Sequence, residues 1–274
     1  MIIDLDGQTV HAATGGVAPD GDDPIVLLVH GAGMDGTVWQ LQTRYLAHHG
    51  YRPMAIDLPG HGRSSGDPIA SVPELADWLG TVVDALDEGP VAVVGHSMGS
   101  FIGLELAARR PEAVTSLVLM GTAAAMPVHP DLLDAAENDL PAAAALMASW
   151  GHAKPAHIGL NPTPGLWMIG GARALVEVSA SGALAVDFRA CAAYDGAEAA
   201  AAEVACPVTI LVGAEDKMTP PRAAAALAAH VPQASVITVP DTGHMMMIED
   251  PRLVRVALLD ALTAVTPAPE GQPA

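Results

Sequence analysis

The chain reads as an α/β protein: a doubly wound, mostly parallel sheet with helices on both faces, interrupted once by a helical insertion. Three observations predict this. Short, predominantly apolar runs recur at Ile25–Val29, Val91–Val94, Thr115–Met120 and Val208–Val212; runs without strict polar alternation mark strands covered on both faces. Helix-period segments lie between them, as parallel strands require for their crossovers. The alternation stops between Thr122 and Glu203, a stretch rich in Ala and Met with no convincing strand, and then resumes.

Taken in order, Ile2–Leu5 and Val10–Ala13 flank the turn pair Asp6-Gly7 and predict an opening hairpin. Thr14–Pro24 is a Gly/Pro/Asp-rich connection. Ile25–Val29 is the first buried strand and empties into the loop His30–Gly36. Trp39, Leu41 and Leu46 start a helix that stops near Gly50, and Pro53–Asp57 is the next strand, followed by the polar loop Leu58–Ser65. Ser71-Val-Pro-Glu74 is a helix start with a possible capping box; Leu75, Leu79, Val82, Val83 and Leu86 follow at helical spacing. The Val91 strand runs into a helix over Met98–Arg109. After the insertion come a strand at Val208–Val212, a helix near Pro221–His230, a strand at Ser235–Val239, and a last helix from Pro251 to about Val265. Thr266–Ala274, with three prolines, reads as a disordered tail. The organisation expected is a core of residues 1–121 and 204–265, a helical insertion over 122–203, and a tail over 266–274. Sites in such sheets lie at the carboxyl ends of the strands, where the insertion would cover them.

Composition narrows the function. The 274 residues suit one sizeable domain carrying an insertion. The apolar fraction is 51% and mean hydropathy +0.34, yet no uninterrupted apolar run is long enough to cross a bilayer. Acids appear at once, at Asp4 and Asp6, with no basic or apolar leader region, so a cytoplasmic protein is expected. A net charge of −19 argues against nucleic acid and anionic membranes as partners, since both need clustered Lys/Arg. The expected partner is a small-molecule substrate; oligomeric state is not legible. Cys191 and Cys206 lack metal-ligand spacing and are expected as reduced thiols. No metal or cofactor is expected: His48-His49 and the pair His152/His157 lack the spacing and carboxylates of a zinc site and read as solvated.

The chemistry centres on Gly95-His96-Ser97-Met98-Gly99, a G-x-S-x-G pentapeptide between strand and helix. A serine in a sharp strand-to-helix turn leaves no room for side chains two residues away on either side, and glycine meets that need. A serine hydroxyl is a weak nucleophile alone and needs a base, which in turn needs an orienting acid. Both belong in loops after later strands, in the order Ser, acid, His. Asp216 follows the Val208 strand and His244 follows the Ser235 strand; Glu215 and Asp241 are the alternative acids. Two backbone N–H groups must meet the developing oxyanion, one from the residue after the nucleophile. These are assigned to Met98 and, by position after the Ile25 strand, Ala32. His30 reads as a loop-holding residue, and the Asp57–Ser65 loop with Arg63 as packing beneath the site. Trp150, Trp167, Met168 and Met245 are candidate pocket residues; a flexible methionine lining suits a small or medium acyl chain.

Together these segments resemble the α/β-hydrolase superfamily: His30-Gly31 with Trp39 downstream, Asp57-Leu-Pro-Gly-His-Gly-Arg-Ser64, Gly95–Gly99, Gly213-Ala-Glu-Asp216 and Gly243-His244. The resemblance covers residues 20–265 and makes Thr122–Glu203 that fold's variable helical cap. It implies acyl-enzyme chemistry on an ester or related bond, without metal or cofactor, with Ser97 attacking, His244 moving the proton and Asp216 holding the imidazole. Ser100 departs from the second glycine common at its position. A serine nucleophile argues against the superfamily's haloalkane dehalogenases and epoxide hydrolases, which use aspartate. A carboxylesterase is the leading expectation. Diketone C–C hydrolysis, thioester hydrolysis and perhydrolysis would use the same residues. Two readings of another class remain: a non-catalytic binding protein on this fold, and an NAD(P)-binding oxidoreductase. The latter rests on Gly31-Ala-Gly-Met-Asp-Gly36, a literal G-x-G-x-x-G after a strand, with Asp57 ending the next one.

Overall fold

A computed structural model describes residues 1–17, 23–160, 167–232 and 234–263; the expected tail, 266–274, and the end of the last helix at Val265 lie outside them. Strands β1 (Ile2–Leu5) and β2 (Gln8–Ala13) form the hairpin. Its second strand begins at Gln8 rather than Val10 because the turn needs only Asp6 and Gly7, both at positive φ. Strand β3 (Ile25–Val29) is followed by a 3-10 turn at Gly36–Trp39 and helix α1 (Gln40–Ala47). The single helix expected from Trp39 to Gly50 is thus split, with Asp35 capping the 3-10 turn through the Thr37 N–H at 2.8 Å. Then come β4 (Arg52–Ile56), α2 (Val72–Leu86), β5 (Val91–His96), α3 (Met98–Arg109) and β6 (Val114–Met120). Ser71 caps α2, accepting from the Glu74 N–H.

Between β6 and β7 (Val208–Gly213) lie only helices among the described residues: α4 (Pro130–Asn138), α5 (Leu140–Gly151), α6 (Lys154–His157), α7 (Met168–Glu177), α8 (Ala183–Ala193) and α9 (Ala197–Glu203). Helices α4, α5, α7 and α8 pack on one another, whereas α9 returns to pack on α3. The chain closes with α10 (Pro221–Ala228), which stops two residues short of His230, then β8 (Ser235–Val239), α11 (Met246–Glu249) and α12 (Pro251–Thr263).

The sheet order is β1-β2-β4-β3-β5-β6-β7-β8, antiparallel at β1/β2 and β2/β4 and parallel elsewhere. Strands β3, β5 and the body of β6 are buried, which explains their unalternating sequences. From β3 the chain crosses to β4 on one side and later to β5 on the other, so the order in which strands are added reverses between the parallel neighbours β3 and β5. The connections leaving their carboxyl ends run to opposite sides there, the position at which doubly wound sheets bind ligands. Val29 and Gly95 are direct register partners, which sets the loop after β3 beside the serine turn.

Candidate active site

Ser97 sits at φ 53° and ψ −119°, a conformation L-residues avoid and one that costs on the order of 1–3 kcal/mol. The turn is held from several sides. The Ser97 N–H donates to the Met120 carbonyl at 2.9 Å, and the Ser97 carbonyl accepts from the Ser100 N–H at 2.8 Å. Close approach explains the flanking glycine: a Cβ on Gly99 would stand 2.4 Å from the Val29 carbonyl oxygen. Ser100, the departure from the common pattern, ties the turn to the end of β6. Its hydroxyl lies 2.6 Å from the Ser97 carbonyl and 3.0 Å from Thr122 Oγ1.

Asp216 and His244 meet. His244 Nδ1 lies 2.8 Å from Asp216 Oδ2, and both side chains are buried. Burial works against a charged Asp216, but His244 and the Thr219 donors outweigh it and hold the carboxyl below the usual carboxylate range. Four donors converge on it: the N–H groups of Met218 and Thr219 on Oδ1, the Thr219 hydroxyl and His244 on Oδ2. The alternative acids are elsewhere. Glu215 is exposed and accepts from the Lys154 N–H at 3.4 Å, and Asp241 is exposed. With Nδ1–H engaged by Asp216, His244 Nε2 is the ring's nitrogen with its lone pair free; it is buried and has no hydrogen-bond partner among the described residues.

Several supports of this pair carry no motif in the sequence. His96, the variable residue before Ser97, donates from Nε2 to the His244 carbonyl at 3.0 Å. Burial, then the neighbouring His244, lower its pKa to about 3, so it is a neutral strut. Glu249 accepts from the Gly243 N–H at 2.9 Å and the Ala153 N–H at 2.8 Å, pinning the His244 loop to the insertion. Gly121, at φ 58°, comes so close to the His244 ring that a Cβ there would lie 2.8 Å from Cε1.

The loop after β3 brings Ala32 to the walls that Ser97 and His244 also line. Neither the Ala32 nor the Met98 N–H has a protein acceptor among the described residues. His30 braces this loop, donating from Nδ1 to the Gly31 carbonyl at 2.9 Å and accepting the Leu58 N–H at 3.1 Å on Nε2. Burial is the main reason its pKa falls to about 4. The G-x-G-x-x-G reading loses its acidic partner, because Asp57 is saturated internally by the Gly36 and Arg63 N–H groups and His11. A longer reach comes from α8: Asp187 Oδ2 accepts the Gly33 N–H at 2.8 Å and lies 2.9 Å from His61 Nε2. Burial disfavours a charged His61, but the Asp187 contact overrides it and raises its pKa.

Two cavities meet at Ala32, Ser97, Phe188, Met218 and His244. The first, about 340 Å³, is walled by Met34, Met147, Trp167, Met168, Val176 and Met245. The second, about 770 Å³, runs past Met126, His129 and Trp150 to Lys217 and Arg222. The four sequence-named pocket residues therefore divide: Trp167, Met168 and Met245 to the first cavity, Trp150 to the second. His152 corrects the expectation of a solvated residue. It is fully buried on the wall of the first cavity, donates to the Ala148 carbonyl at 2.9 Å, and has its pKa lowered to about 4 by burial. Both cysteines are free, and no cluster of potential metal ligands occurs among the described residues. Nor is any helix there long and apolar enough to cross a membrane.

Comparison with known proteins agrees with this architecture. The chain is 29% identical over 264 residues to the provisionally named carbamate hydrolase RutD of Klebsiella pneumoniae, covering 91% of this chain and 95% of that one. It is 31% identical over 252 residues to a pimeloyl-[acyl-carrier protein] methyl ester esterase of Aromatoleum aromaticum, covering 87% and 98%. Among solved structures, a thermophilic esterase superposes with a TM-score of 0.79 at 27% identity over 98% of both chains. An enol-lactonase from Burkholderia xenovorans reaches 0.85 at 21% identity, covering 96% of this chain and all of that one. The sequence profile of the alpha/beta hydrolase family matches residues 26–257. The chain belongs to the alpha/beta hydrolase family.

Proposed function

We propose that this hydrolase is a serine esterase working through an acyl-enzyme, acting as a carboxylesterase on esters of small to medium apolar acids. The observation that carries the reading is the buried Asp216–His244 contact of 2.8 Å beside cavities that Ser97 and His244 both line. In this reading His244 Nε2 takes the Ser97 Oγ proton as Oγ attacks the ester carbonyl carbon. The Ala32 and Met98 N–H groups receive the negative oxygen, and His244 then protonates the departing alkoxide. Water repeats the sequence on the acyl-enzyme, releasing the carboxylic acid and restoring the Ser97 hydroxyl. Asp216 stays ionised throughout and fixes the tautomer with Nδ1 protonated. Residues 122–203 serve as a cap over a core of 1–121 and 204–265. The apolar first cavity takes the acyl group. A relative named as a methyl ester esterase supports an ester, and one named as a carbamate hydrolase puts carbamates on the test panel.

The test is an activity profile over p-nitrophenyl esters, thioesters, carbamates and diketones, run beside Ser97→Ala. Ester hydrolysis is expected to lead, and Ser97→Ala to reduce kcat by about 10⁶-fold with the fold intact by circular dichroism. Hydrolysis that survives the substitution would remove Ser97 from the mechanism.

A further inference from the structure

We propose that the second cavity is an anion-recognising leaving-group site, in which Lys217 and Arg222 select esters whose alcohol or phenol carries a carboxylate. This rests on the esterase reading and on assigning the apolar first cavity to the acyl group. The chain has 31 acidic residues against 12 Lys and Arg, yet the wall of the second cavity holds two of those cations and no Asp or Glu. The first cavity, its neighbour across Phe188 and Met218, has no Lys, Arg, Asp or Glu at all.

The cations are also available. Arg52, Arg109, Arg110, Arg173 and Arg189 each pair with an acid; Lys217 and Arg222 are two of the seven Lys and Arg with no ion pair among the described residues, and of those seven they alone line a cavity that Ser97 and His244 also line. The acids beside Lys217 in the chain, and the one beside Phe188 of the cavity wall, are engaged elsewhere. Asp216 holds His244 and Thr219, Asp187 holds His61 and the Gly33 N–H, and Glu215 accepts from Lys154. Arg222 moreover occupies the first turn of α10. A cation there opposes the helix dipole, so its place gains nothing for the helix itself. A molecule of net charge −19 repels anionic substrates; two unpaired cations on one wall of the cavity beside Ser97 supply the local attraction that such substrates need.

The experiment compares two acetate esters of closely similar shape that differ in charge, 4-acetoxybenzoate and 4-acetoxybenzamide, each rate taken relative to its uncatalysed hydrolysis. The wild type is expected to favour the carboxylate in kcat/KM by about tenfold, mostly through KM, as two partly exposed charge contacts allow. Arg222→Gln should cut that ratio about threefold, and Lys217→Gln combined with Arg222→Gln should bring it near one. A wild-type ratio of one or less, or a ratio the double variant leaves intact, overturns the proposal. So does a wild-type preference for p-nitrophenyl hemisuccinate over p-nitrophenyl butyrate, which would put the anion on the acyl side. Binding of 4-hydroxybenzoate and 4-hydroxybenzamide to Ser97→Ala, measured by calorimetry, separates this site from the chemistry. Discrimination in binding with neither ester hydrolysed would sink the esterase reading and sustain the site; hydrolysis of both without discrimination does the reverse.

Discussion

At the scale of single residues, two buried carboxyls bracket His244 and respond to pH in opposite directions. Asp216 is stabilised as its anion, so its folded pKa lies below its unfolded value. Its contribution is present above the unfolded pKa and lost as pH falls through the folded one. Asp216→Asn should therefore flatten the acid limb of a stability-versus-pH curve measured by thermal melting. It should also lower kcat by roughly 10⁴-fold, because the imidazole loses the group that fixes its tautomer. Glu249 behaves the other way. Burial first, with the nearby Asp216 charge, raises its pKa to about 7 despite two N–H donors. A raised carboxyl keeps its proton in the folded state, so stability falls as pH climbs from the unfolded value to the folded one. The loss is on the order of 3 kcal/mol by pH 8. Melting the wild type and Glu249→Gln from pH 5 to 8.5 checks this: the wild type should lose more stability across that window, and equal slopes would refute it.

At the scale of elements, the candidate site is a set of strand ends tied together, and the ties divide into those a sequence exposes and those it hides. Ser97, Asp216 and His244 were legible because each stands at the carboxyl end of a strand, in a turn whose glycines or prolines are local signals. The hairpin boundary and the split of the first helix were missed by a few residues, since turn type and 3-10 geometry depend on φ values that composition does not carry. His152 was misread because Ala-rich helices bury through close approach rather than through a large apolar stripe. Asp187 had no signal at all, since its contact with the Gly33 N–H spans 154 residues. That contact carries a prediction. Asp187 holds the loop bearing the Ala32 N–H, the oxyanion donor of the proposed mechanism, and such a donor acts chiefly in the transition state. Asp187→Asn should lower kcat tenfold or more with KM little changed, and move the pH profile as His61 loses its counter-charge. A loss confined to melting temperature would leave it a purely structural residue. Gly121→Ala makes the matching case at β6. Its Cβ must enter at positive φ and within 2.8 Å of the His244 ring, so activity should fall far more than stability.

At the scale of the whole molecule, the strand ends supply the proposed reacting groups, and the helices between β6 and β7 supply much of the wall around them. The first cavity shows the division of labour. Ala32, Ser97 and His244 come from strand ends, whereas Met147, Trp167, Met168 and Val176 come from α5, α7 and the residue before α7. Its volume of about 340 Å³ sits at the small end of ligand pockets, and thioether side chains let its walls yield to chains of somewhat different shape. Rate as a function of acyl length should therefore rise from acetate to chains of medium length and then fall, because longer chains must displace packed helices rather than flexible side chains. Each added methylene that stays within the cavity contributes about 0.8 kcal/mol of apolar burial, so the rising limb should steepen kcat/KM by a few-fold per carbon. Met147→Trp, which fills the cavity from α5, should shift the optimum to shorter chains without altering the rate on acetate by a comparable factor. A p-nitrophenyl ester series from two to sixteen carbons measures both. An optimum at sixteen carbons, or one that Met147→Trp leaves in place, would mean that the acyl chain lies somewhere other than this cavity.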